Sequence, residues 1–65
     1  MIHHVTRMGN DQVIVFDQDG EQLPRYQGAY QDVSQGILKD APADARFYHW
    51  YDISPEPVEV TREEW

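Results

Sequence analysis

Five side chains in this 65-residue sequence are of types that do chemistry at short spacing: His3, His4 and His49, and the pair Asp17 and Asp19. Imidazoles and carboxylates together can hold a transition metal or pass a proton. In an extended strand, however, adjacent residues point to opposite faces, so His3 and His4 cannot both reach one ion unless the strand is broken between them. At most one of them can join His49 and a carboxylate, and that assembly needs a particular strand pairing. The three imidazoles are therefore expected to be ordinary surface or half-buried groups, with no metal and no cofactor.

The two aspartates sit in Val13-Ile14-Val15-Phe16-Asp17-Gln18-Asp19-Gly20. Four apolar strand residues followed by Asp-x-Asp-Gly resemble the first motif of the haloacid dehalogenase phosphatase superfamily. That resemblance implies that Asp17 attacks phosphorus and that Asp19 acts as acid and base. It covers eight residues, and Glu21 stands where the family carries threonine. The family also needs a lysine and further aspartates on later strands of a parallel sheet. The 45 residues after Gly20 are too few to build that sheet with helices on both faces. The expectation is thus a tight reversal in which Asp19-Gly20 supplies the turn. A calcium loop of the EF-hand type fails too, because Gly20 falls fourth and Gly28 twelfth when Asp17 is counted first.

Other constellations are missing. The two serines, Ser34 and Ser54, lie in no nucleophile turn, and the glycines at 9, 20, 28 and 36 form no phosphate-cradling loop. Without cysteine there is no disulfide, thiolate metal site or thiol nucleophile. Twelve acids against five bases give a net charge of −7, which repels phosphate backbones and anionic headgroups. Direct nucleic-acid binding and membrane association are not expected. No apolar run resembles a signal sequence or a membrane span, so a soluble, cytoplasmic protein is expected.

The elements that must position these residues follow from the apolar pattern. Ile2 to Met8 suits a first strand, Gly9-Asn10-Asp11 a turn, and Val13 to Phe16 a second strand rich in β-branched residues. Gln22 to Tyr26 reads as a third strand, placed at an edge or bulged because Pro24 lacks an amide donor. Tyr30, Val33, Ile37 and Leu38 then recur with helical period, and Pro42 ends the helix. Gly36 inside it marks either a close approach to the sheet or a tolerated imperfection. Phe47 to Ile53 alternates as a strand, with Phe47, Tyr51 and Ile53 on the core face and Tyr48 and Trp50 on the other. Ser54-Pro55-Glu56-Pro57 is an extended connector, and Val58 to Thr61 a short last strand. The order β-β-β-α-β-β predicts one α+β domain over residues 1–65. A mainly antiparallel sheet of three to five strands carries one helix on one face, and residues 54–65 form an acidic C-terminal segment. Phe16 or its neighbours on the second strand, with Val33, Ile37, Phe47 and Tyr51, are the expected core.

Two features stand out as contact surfaces. Tyr48 and Trp50, turned away from the helix, place large rings partly in water. The C-terminal segment adds Glu59, Glu63, Glu64 and the aromatic Trp65. Aromatic anchors ringed by carboxylates suit a basic partner. The function expected is that of a small acidic, non-catalytic protein that binds another protein, as adaptor or inhibitor, through Tyr48, Trp50, Glu59, Glu63, Glu64 and Trp65. Covering a basic surface is one form of that role. The alternatives are a small-molecule or metal-assisted enzyme centred on His49 with His4 and Asp17 or Asp19, and a homodimeric accessory that buries its own edges and aromatics.

Overall fold

Strand directions can be followed along the chain in the computed structural model, which describes residues 1–51 and 55–65. Strand β1 (Ile2–Met8) turns through Gly9-Asn10-Asp11 into the antiparallel β2 (Gln12–Asp17). Asp11 takes a positive φ of 65° in that reversal and donates its amide to the Met8 carbonyl at 2.9 Å. A second reversal at Asp17–Gly20 leads through a 3-10 turn at Pro24–Tyr26 to the two-residue strand β3 (Gly28–Ala29), antiparallel to β2. Helix α1 (Tyr30–Asp40) carries the chain back along the sheet, and β4 (Arg46–Trp50) enters beside β1. The strand β4 runs parallel to β1, and the helix supplies the crossover that a parallel pair requires. Strand β5 (Val58–Val60) closes the far edge, antiparallel to β4.

The result is one helix and a five-stranded mixed sheet in the order β3-β2-β1-β4-β5. The element order agrees with the sequence reading, while the sheet contains a parallel central pair instead of antiparallel pairs throughout. The third strand is displaced. Of Gln22 to Tyr26, only Gln22 makes a bridge, to Phe16, and Pro24 starts the 3-10 turn, leaving Gly28–Ala29 to pair with Val13 and Gln12. Gly28 has a φ of +147°, a conformation that favours glycine.

One face of the sheet meets the helix. Ile2, Val5, Val13, Val15 and Phe47 project from the strands onto Ile37 and Ala41 of α1 and its C-terminal junction, with Tyr30 and Val33 partly buried beside them. Of the expected core, Tyr51 lies elsewhere, and on β2 the neighbours of Phe16 take the inner place. Phe16 is half-buried on the opposite face, because β2 alternates and Val13 and Val15 take the helix side. Tyr51 is 50 % exposed, since β4 ends at Trp50 and the Tyr51 hydroxyl turns to His49 Nδ1 at 2.7 Å. Leu38 is exposed, its place in the helical stripe taken by Ala41. A methyl group added at Gly36 would meet no neighbouring element within 4 Å, so this glycine marks no close contact with the sheet. Ile53 falls outside the described residues.

The C-terminal turn completes this core. Trp65 is 3 % exposed and packs against Phe47 and Tyr30, with ring centres 5.1 and 5.0 Å away. Arg7 lies 3.5 Å above the centre of the Tyr30 ring and donates to the Trp65 main-chain oxygen at 2.9 Å. Arg62 donates to the carbonyls of Leu38, Ala41 and Pro42, where the helix dipole concentrates negative charge.

Candidate functional site

The face of the sheet away from α1 carries the candidate site. Strand alternation sends Tyr48 and Trp50 of β4 to this side, as the sequence indicates, while Phe47 beside them is buried under the helix. His4 and Thr6 of β1, Phe16 of β2 and Pro57 join them around a groove of about 350 Å³. The His4 ring stacks on Phe16 with centres 4.7 Å apart and meets Tyr48 edge-on at 6.2 Å. Trp50 is 39 % exposed. Glu59 pairs with Tyr48 across the ladder and forms an ion pair with Arg46 at 3.3 Å. Among the described residues no helix covers this face.

The sequence-derived contact set is thereby divided. Tyr48, Trp50 and Glu59 come together on the open face. Trp65 lies in the core on the helix side, so its ring serves packing and not an exposed surface. Glu63 and Glu64 belong to the turn that carries Trp65 there. Within that turn the Glu64 amide bonds the Thr61 hydroxyl at 3.2 Å, while the Thr61 amide bonds Glu64 Oε1 at 3.1 Å. This reciprocal pair is a capping box, a Thr-x-x-Glu signal present in the sequence. The Thr61 amide, helped by its hydroxyl, holds the Glu64 carboxyl below the usual range. Glu64 therefore has a structural task, directing Trp65 inward. His4, Thr6, Phe16 and Pro57 are the groove residues that the sequence reading leaves out of the contact set.

The aspartates of the Asp-x-Asp-Gly segment act as turn residues. Asp17 Oδ1 accepts the amides of Asp19 and Glu21, both at 2.9 Å, and Gly20 takes a φ of +82°. The Glu21 amide is the main cause holding the Asp17 carboxyl below its ordinary value, with smaller help from those of Asp19 and Gly20.

The polar centre imagined for an enzyme is scattered. His4 lies on the open face, Asp17 and Asp19 in the hairpin, and His49 beside Arg7, Asp11 and Tyr51 at a pocket of about 280 Å³. A carboxylate does stand near His49 there, that of Asp11, but Arg7 holds it at 3.0 Å. His49 Nε2 and Trp65 Nε1 are buried without a hydrogen-bond partner. Ser34 is half-buried on α1, and Ser54 lies outside the described residues. Among the described residues, no group of three His, Cys, Asp or Glu side chains is placed to hold a metal, and no helix is long and apolar enough to cross a membrane.

No family model matches the chain, and neither a curated protein nor a solved structure matches it.

Proposed function

We propose that the protein acts without catalysis, by binding another protein through the open face of its sheet, and that the partner presents a basic surface. The observation that carries this reading is the groove between Phe16, His4, Tyr48 and Trp50 on a face that no helix covers among the described residues. Aromatic rings at the centre of a contact supply apolar area at little entropy cost, and their faces attract arginine and lysine. The net charge of −7 favours a basic partner at long range and opposes nucleic acid. Glu59 and Arg46 at the edge add a polar rim that fixes orientation.

Affinity purification from the native cells with two baits, wild type and a Tyr48→Ala/Trp50→Ala variant whose fold is verified by circular dichroism, tests the reading. A basic protein that co-purifies with the wild type, dissociates with rising salt and is lost with the variant is the expected result. Equal recovery with both baits, or self-association alone, contradicts it.

A further inference from the structure

The rule that adjacent strand residues face apart fails at the start of β1. The pairing with β2 slips between Ile2, opposite Asp17, and His4, opposite Phe16, so that one extra residue, His3, is accommodated in a bulge. The bulge turns the two rings toward each other. Their Nδ1 atoms lie 3.3 Å apart, with ring centres 5.5 Å apart and planes at 83°.

We infer that His3 and His4 form a two-nitrogen chelate for a zinc ion, bound through both Nδ1 atoms at the rim of the open face. Zinc holds imidazole nitrogens at about 2.0–2.1 Å, so two ligands at the tetrahedral angle stand about 3.3–3.4 Å apart. The observed separation falls in that range. The scaffold also fixes one ligand in advance: His4 is held by its stack on Phe16 and by the edge of Tyr48, while His3 is exposed and can adjust.

Ligand chemistry supports the pair. In the metal-free protein the two Nδ1 atoms lie at hydrogen-bond distance, 3.3 Å. Chelation requires both rings neutral with their protons on Nε2, so that two Nδ1 lone pairs face the ion, and any proton held on Nδ1 must leave it. No third His, Cys, Asp or Glu among the described residues joins them. Water completes the coordination, and the site is open and weaker than a closed structural zinc centre.

Calorimetric titration of the full chain with zinc chloride, together with ¹⁵N spectra of the imidazoles, decides the matter. One zinc per chain is expected, with both Nδ1 resonances shifting and both Nε2 atoms remaining protonated. His3→Ala removes an exposed side chain, and His4→Phe keeps the stack on Phe16 while deleting the ligand, so both variants retain the fold. Each should weaken binding at least tenfold, and His49→Ala should leave it unchanged. Absence of binding with zinc in excess over protein, unchanged affinity in His3→Ala, or ligation through Nε2 would overturn the inference. None of these outcomes depends on the protein partner.

Discussion

The two faces of the β-sheet use the same residue classes to different ends. On the helix side Val5, Val13, Val15 and Phe47 are buried beneath Ile37, and even the C-terminal Trp65 turns inward. On the other side Phe16, His4, Tyr48 and Trp50 are left half-buried or exposed around a groove. Phe47 and Tyr48 are neighbours in sequence, yet one is fully enclosed and the other lines an open surface. Aromatic content therefore says little about role here, and the face onto which the strand turns a ring decides it.

The contrast is broken most strongly at the centre of the covered face. Truncating Ile37 to Ala removes the buried residue of α1, and should cost about 2–5 kcal/mol in denaturant unfolding. A near-unchanged midpoint would mean that α1 does not seal this side. Trp65 comes next and sharpens the comparison chemically. Trp65→Ala should cost about 3–5 kcal/mol through lost ring packing. Trp65→Phe, which preserves a ring against Phe47 and Tyr30 and deletes an indole N–H without a partner, should cost far less. Equal losses would show that the indole nitrogen is essential. A smaller effect is expected where the C-terminal turn is held: Thr61→Ala removes one half of the capping box and should cost about 0.5–2 kcal/mol, read from the thermal midpoint.

Acid should act on His4 and on the carboxylates of the two turns at different pH. His4, on the open face, is less basic in the folded chain than in the unfolded one, so the unfolded state binds its proton first. Its contribution is full above the ordinary histidine value of about 6.5 and is lost as pH falls through the lower folded value. Asp17 and Glu64 are also depressed, chiefly by main-chain amides, and their contributions disappear only below about pH 4. Unfolding followed against pH should thus show a first decline that His4→Phe abolishes, and a second that it leaves in place. A single decline near pH 4 in the wild type would remove His4 from the account.

Much of this arrangement is readable in the residues. The β-branched run Val13 to Phe16, the helical period through Val33 and Ile37, and the separation of Tyr48 from Phe47 all depend on local periodicity, which the fold preserves. Which residues of Val13 to Phe16 face inward stays open in the sequence, because a continuous apolar run has no alternation to mark its inner side. The third strand is displaced because Pro24 suits a 3-10 turn, and pairing falls to Gly28, whose unusual φ no neighbouring residue announces. The bulge that brings His3 to His4 arises from strand register, a tertiary property. The Thr61-x-x-Glu64 box is visible, but a dense run of acids makes the same residues read as a solvated tail. Parallel pairing of β1 with β4 requires the strand order, which periodicity does not contain.

If the open face carries recognition and the covered face carries stability, neighbouring positions on β4 test that division most directly. Denaturant unfolding of Phe47→Ala and Trp50→Ala, two variants of one strand, should separate widely. Phe47→Ala is expected to lose about 3–5 kcal/mol, and Trp50→Ala about 1 kcal/mol, the scale of strand preference at a partly exposed position. Equal losses at the two positions would make Trp50 part of what holds the fold together and contradict the division between the faces.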